Sequence, residues 1–293
     1  MSDVKDNAPV ENAGAALPME PYPLTNLATN GEVTVISPKN DFEDLAGQGL
    51  ENVTARDLLI PRITILQALS PQVSKNKPEY IKGCEVGDFC DVSLAQILPK
   101  PLVVIPVYFA KQWLEWFPRG TNKGLANIHL TDEIVAQTKE DENRRKFLPN
   151  GNLIVETAQI FVLNLSCDMR RNFIPFSSTQ WKKARGWLNL ATTEKLARKD
   201  GTLFTPPLFY RSYQLTTVSE SNNQGSWEGW KIERSVALPE LQNYKWILDE
   251  AKTFRNELSS GNIRADIEAM KDEIETQTGQ RPVDGYDRGE ERI

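Results

Sequence analysis

Apolar side chains are sparse over residues 1–47, follow no sustained period and sit among Asn, Ala, Pro, Glu and Thr. Such a segment cannot bury enough surface to offset the entropy of ordering, and we expect a disordered arm. Patterned sequence begins with GQGLENVTARDLLIPRITILQALSPQV, where the apolar run Leu58 to Leu69 is cut by Pro61. That cut predicts an extended segment at a sheet edge or a short helix after the proline. The stretch KNKPEYIKGCEVGDFCDVSL reads as turns joining short strands, with Gly83 and Gly87 as turn residues. Leu102 to Phe109 (LVVIPVYF) predicts a strand, which KQWLEWFPRG extends into an aromatic, partly basic end. Residues 120–150 are polar and make a long connection, of the kind that is functional or mobile.

Ile154 to Leu165 is rich in Ile, Val, Leu and Phe and lacks Gly and Pro, which predicts a strand buried on both faces. The polar segment Cys167 to Asn172 breaks it at a turn bearing two adjacent arginines, and a short strand follows. Ser177 with Gln180 three positions later has the form of a capping box, so a helix is expected from Ser177, fading near Lys199, Asp200 and Gly201. On its wheel Trp181, Ala184, Trp187, Leu188 and Ala191 share one side, away from Lys182, Lys183 and Arg185. In PPLFYRSYQLTTVSES, period-2 alternation puts Phe209, Arg211, Tyr213 and Leu215 on one face. Asn222 to Gly225 predicts a turn, and Trp227 to Arg234 returns as the last strand of a hairpin. From Pro239, Leu241, Tyr244, Leu248, Ala251, Phe254 and Leu258 recur at helical spacing and end at Ser259, Ser260 and Gly261. Ile263, Ile267, Met270 and Ile274 continue with a pattern compatible with a partner-binding helix.

The middle of the chain therefore predicts strand (102–116), strand (152–166), strand (172–177), helix (178–199), strand (206–219) and strand (226–234). Five strands with a helix between the third and fourth is the order of an OB-fold, a small barrel that often binds oligonucleotides. The expected class is mainly β with helices (α+β): an OB-fold-like five-stranded Greek-key barrel plus C-terminal amphipathic helices. The domains are a disordered arm at 1–47, the barrel at 48–235, helices at 236–277 and a disordered tail at 278–293.

Charge sharpens this picture. The 293 residues carry a net charge of -6, distributed unevenly. Residues 1–100 hold 8 basic and 14 acidic side chains, 101–235 hold 18 and 13, and 236–293 hold 8 and 13, giving -6, +5 and -5. A basic centre between acidic ends is the asymmetry expected of a polyanion-binding core flanked by tails or partner-binding arms. Cys84, Cys90 and Cys167 form no even framework and no C-x-x-C, which points to a reducing compartment with Cys84 and Cys90 as core residues. No apolar run reaches the roughly 18 residues that span a bilayer. A soluble, intracellular protein is expected.

Enzymatic groups are scarce. His129 is the only histidine, which excludes a histidine triad or a multi-histidine metal site within one chain. No nucleophile elbow, Walker A or dinucleotide fingerprint occurs, and the Gly47, Gly49 pair is too short for a phosphate loop. The expectation is a non-enzyme with no cofactor and no metal. The enzymatic alternative is a magnesium-dependent nuclease using Glu156 and Asp168 with Lys182 or Lys183.

Binding single strands without sequence preference needs cations for the phosphates and flat aromatic faces for the bases, each stack being worth about 1–3 kcal/mol. The candidates are Trp113, Trp116 and Arg119 at the end of the first strand, Arg144, Arg145 and Lys146 in the long loop, and Arg170, Arg171 and Phe173 at the turn. Lys182, Lys183 and Arg185 on the helix and Arg211 and Tyr213 on the fourth strand complete the set. Core packing is the competing assignment for the tryptophans, favoured for Trp181 and Trp187 by their place on the apolar side, and a solvated surface is the competing assignment for each basic cluster. A protein that binds and modulates another protein, a host protein if the chain is viral, through the basic face or the C-terminal helices is the alternative from another class.

The combination DLLIPRITILQALSPQV, EYIKGCEVGDF, VVIPVYFAKQWLEWFPR and IPFSSTQWKKARGW resembles a family of single-stranded DNA-binding proteins from tailed bacteriophages, over about residues 48–235. The resemblance implies an OB-fold that coats single strands during phage DNA replication and recombination. In related viral proteins an acidic C-terminal tail ending in an aromatic residue recruits polymerase and helicase. Here the sequence closes with GEERI and lacks the final aromatic of that recruitment mode, while phage replication proteins (polymerase, helicase) stay as expected partners of the C-terminal segment. A homo-oligomer is left open.

Overall fold

The computed structural model describes residues 45, 48–53, 59–118, 121, 124–177, 180–222 and 225–261. But for Leu45, the arm expected at 1–47 lies outside the described residues, as do the helical pattern from Ile263 to Ile274 and the tail from 278. Every strand and helix below belongs to the unit that begins at Gly49. Three short strands come first, β1 (Ile63–Ile65), β2 (Phe89–Asp91) and β3 (Gln96–Ile97), joined in that order into an antiparallel sheet. Next is β4 (Leu102–Trp116), and the long connection after it contributes β5 (Leu125–His129), β6 (Lys139–Glu140) and β7 (Lys146–Phe147). The chain continues through β8 (Leu153–Asn164), β9 (Arg170–Ser177), helix α1 (Trp181–Thr192) and a small hairpin of β10 (Leu196–Ala197) and β11 (Leu203–Phe204). The long hairpin of β12 (Arg211–Asn222) and β13 (Gly225–Ala237) and the helix α2 (Tyr244–Ser259) follow.

The main sheet is antiparallel, in the order β13-β12-β4-β8-β7-β6, with β5 also on β4 and β9 also on β8. It has eight strands rather than five, because the connection expected to be open adds β5, β6 and β7. The sheet curls into a half-barrel, and the segment around β1 meets both ends of the curl. At β9, the Phe173 N–H donates to the Pro61 carbonyl at 3.1 Å. At β13, the Gln67 amide donates to the Glu228 carbonyl at 2.9 Å and accepts from the Glu228 N–H at 2.9 Å.

Pairing of β4 with β8 passes from Pro106↔Val162 to Tyr108↔Phe161, so Val107 is an extra residue in a bulge. Proline has no N–H to give a ladder, and a bulge is where a strand tolerates it. The extra residue reverses the alternation. Leu102 and Val104 point into the half-barrel before it and Phe109 after it, while Tyr108 and Ala110 join the other side. The interior core gathers Ile63, Phe89, Val104, Ile160, Phe176, Tyr213 and Trp230, and α1 lays Trp181, Ala184 and Trp187 on it. The opposite face, with Ile105, Leu114, Val155, Phe161, Leu163 and Phe173, is covered by Ile247, Ala251, Phe254 and Leu258 of α2. Sheet and C-terminal helix thus share a core; the helix begins at Tyr244 and not near Pro239, Leu241 precedes it, and Tyr244 is turned outward.

Several boundaries differ from the sequence expectation. The helix starts at Trp181, not Ser177, which ends β9; the Gln180 side chain caps nothing and reaches Glu220 instead. It also stops at Thr192, not near 199. The hydroxyls of Thr192 and Thr193 bond back to the Leu188 and Asn189 carbonyls at 2.9 Å, and the next residues form the hairpin. The strand expected from 206 begins at Arg211, since 208–210 form a 3-10 turn. A bulge between Arg211 and Tyr213 separates Phe209 from the face that Tyr213 and Leu215 share. Cys90 is buried as expected, whereas Cys84 is half-buried and donates to the Gln72 carbonyl.

Candidate nucleic-acid interface

The three turn residues expected to form a groove, Arg170, Arg171 and Phe173, belong instead to joints between elements or to the sheet. The turn itself is 165–169, with Asp168 and Met169 in the left-handed region, and Arg170 and Arg171 already start β9. The Arg170 guanidinium donates to Gln96 Oε1 at 2.9 Å and lies 3.4 Å from the fully buried carboxylate of Asp91. Arg171 donates to Glu250 Oε1 at 2.8 Å and to Glu257 Oε2 at 2.6 Å, and its guanidinium sits 5.0 Å above the Phe254 ring. Both carboxylates belong to α2, so Arg171 fastens that helix to the sheet. Phe173 is 0% exposed, its ring 5.8 Å from that of Phe161, and it offers no face to a base.

The tryptophans of β4 are also covered. Trp116 packs with Leu125 and Leu153, and Trp113 with Ile134, Leu148 and Ile154. The Trp113 indole N–H donates to Asp132 Oδ1 at 2.7 Å. The connection between β4 and β8 folds back over these rings and is pinned there by Glu115, whose carboxylate takes Asn152 Nδ2 at 2.5 Å and lies 2.7 Å from His129 Nε2. Burial pushes the Glu115 carboxyl up, but hydrogen bonds from Asn152, His129 and Asn150 outweigh it and hold the group below its ordinary value. Arg119 lies outside the described residues. Arg144 is exposed at a left-handed turn position. Arg145 meets Asp141 at 2.6 Å and packs over Phe147, while Lys146 pairs with Glu140. Those two cations depress the Asp141 and Glu140 carboxyls, so this loop largely cancels its own charge.

On the other side of the fold the charge is distributed differently. Lys183 pairs with Glu220 at 2.5 Å, and Arg185 lies 5.3 Å above the Trp181 ring. Lys182 is exposed and has no carboxylate within ion-pair distance among the described residues. On β12, Arg211 grips Glu194 through two bonds of 2.8 and 2.6 Å and donates to the Ser235 carbonyl at 2.6 Å. Arg211 holds the Glu194 carboxyl below its ordinary value, and Glu194 in turn raises Arg211. Tyr213 is buried against Trp187, and burial raises its phenol. Sequence reasoning missed Lys195, Arg198 and Lys199, which the β10–β11 hairpin presents to solvent. The signal was there: Lys199, Asp200, Gly201 carries the Asp-Gly pair of a tight hairpin, between two short apolar pairs.

The acids considered for a nuclease are not brought together. Glu156 faces Lys111 in the first third of β8, and Asp168 lies past the strand's other end, beyond Asn164. At about 3.3 Å per residue, about 26 Å of strand runs from Glu156 to Asn164, where the turn bearing Asp168 begins. Among the described residues no three His, Cys, Asp or Glu side chains are grouped as a metal ion would need, and no helix is long and apolar enough to cross a membrane.

Comparison with known proteins gives one family, described as "Pam3 phage gp34-like protein", which matches residues 30–264, about four-fifths of the chain. The chain belongs to this family of phage proteins. No curated protein and no solved structure matches it.

Proposed function

We propose that this member of the Pam3 phage gp34-like family is a sequence-nonspecific single-stranded DNA-binding protein, acting without catalysis in phage DNA replication and recombination in the host cytoplasm. The observation that carries the reading is the strand path β9-β8-β4-β12-β13 with α1 inserted between β9 and β12. Counted along this path the strands are third, second, first, fourth and fifth, which is the order of an OB barrel opened between its third and fifth strands, with the helix in the OB position. The segment around β1 stands in the gap where those two strands would meet. Small barrels of this type repeatedly serve as oligonucleotide-binding modules, and the central +5 charge supplies what a phosphate chain needs.

The test is binding of fluorophore-labelled oligo-dT followed by anisotropy. Tryptophan quenching is a weaker reporter here, because five of the seven tryptophans are buried and the exposed one, Trp246, lies on α2. Binding at low salt, weakening with a log-log slope of about -0.7 per phosphate contacted, is the expected result. A chain that binds no single strand at low salt overturns the proposal.

A further inference from the structure

We infer that the DNA backbone lies along a cationic ridge formed by the solvent face of α1 and the β10–β11 hairpin, and not across the outer face of β8 and β9. The inference rests on the single-strand reading above and says which surface performs it. In OB-folds the face of the second and third strands is the usual oligonucleotide platform. Here those strands are β8 and β9, and α2 covers their outer face with Phe254 at 0% exposure.

The ridge has the opposite character. Lys182, Arg185 and Asn189 are three and four residues apart and exposed, so they line one side of α1, and α1 contains no acidic residue. Residues 180–204 hold six basic and two acidic side chains, a net +4. Neither acid opposes the ridge cations, since Glu194 is gripped by Arg211 and Asp200 accepts from the N–H and hydroxyl of Thr202 to close the hairpin turn. Lys182, Lys195, Arg198 and Lys199 have no carboxylate within ion-pair distance among the described residues. Arg234 of β13 donates to the Leu190 carbonyl and, at 2.8 Å, to Thr193 Oγ1, which carries the positive surface from the helix end onto the sheet.

Placement within α1 points the same way. Its first turn holds Lys182 and Lys183 and no acid, although the helix dipole disfavours cations there by some tenths of a kcal/mol. Lys183 is compensated by Glu220, but Lys182 has no such return from the fold. Exposed cations kept against local preference are what a phosphate-binding surface requires. With 12 residues at about 1.5 Å each, α1 alone offers a track of about 18 Å.

The test compares the full-length protein with Lys182→Gln/Arg198→Gln/Lys199→Gln and with the equal-charge control Lys75→Gln/Lys77→Gln/Lys82→Gln, whose lysines are exposed in the loop before β2. Oligo-dT affinity is measured over a salt series. The ridge variant is expected to bind roughly tenfold more weakly at low salt, with a slope shallower by about 2, three contacts at about 0.7 each. The control variant is expected to keep the wild-type slope. A wild-type slope in the ridge variant, or equal flattening in both, overturns the ridge while leaving single-strand binding intact. Failure of the wild-type protein to bind dT overturns both, and is a separate outcome.

Discussion

Two basic regions of this protein look alike in sequence and do different things in the structure. Arg170 and Arg171 lie at the start of β9 and are taken up by Asp91, Gln96, Glu250 and Glu257. The cations of α1 and its hairpin are mostly exposed, and Lys182, Arg198 and Lys199 meet no carboxylate among the described residues. One region spends its charge inside the molecule, joining the small sheet and α2 to the main sheet. The other leaves its charge outside. What separates a cation committed inside the fold from one left at the surface is therefore the acid it meets across the fold, and not its neighbours in the chain.

The comparison can be broken most forcefully at Phe254. Its ring is fully buried, edge-on to Phe161 and beneath Arg171, so Phe254→Ala should lower stability by about 3–5 kcal/mol in urea unfolding. A loss below about 1 kcal/mol would mean that α2 is not fastened to the sheet as described. Arg171→Ala should have a smaller effect of the same kind, about 1 kcal/mol, because the pairs are partly exposed and screened. Its oligo-dT salt slope should equal that of the wild type; a shallower slope would return Arg171 to the binding surface. The ridge substitutions should do the reverse, changing binding while each shifts stability by no more than about 0.5 kcal/mol.

The acid limb gives a finer test. Arg211 depresses Glu194 below its ordinary value of 4.5, and the folded form is therefore stabilised by this group at pH values above about 4.5. That contribution disappears as pH falls through the depressed value. Melting temperature measured from neutral to acid pH should fall below about pH 4.5, and in Arg211→Gln the part of the fall due to Glu194 should be reduced, leaving only what Arg234 supplies. An identical acid limb in the two proteins would contradict the pairing.

Long-range pairing explains which features were legible in the sequence. The apolar runs of β4 and β8 and the helical spacing of Ala251, Phe254 and Leu258 are local patterns, and each formed the element expected. Asp141 with Arg145 is an i,i+4 pair that local reading can anticipate. The partners of Arg171, by contrast, stand 79 and 86 residues away, beyond any spacing rule. Trp113 and Trp116 looked available because the connection after them reads as an open loop. It returns as β5, β6 and β7 and closes over both rings, using contacts such as Glu115 with His129 and Asn152 that no single window displays. The α1 boundary failed for a subtler reason, since Thr192 and Thr193 end the helix through their own hydroxyls and an Asp-Gly hairpin follows within the reach of the helical pattern.

The most direct measurement is the salt dependence of oligo-dT affinity for three proteins side by side: the wild type, Arg170→Gln/Arg171→Gln and Lys182→Gln/Arg198→Gln/Lys199→Gln. The account predicts that the wild type binds, that the arginine variant loses stability but keeps the wild-type slope, and that the ridge variant flattens it by about 2. A flattened slope in the arginine variant with an unchanged slope in the ridge variant would contradict it.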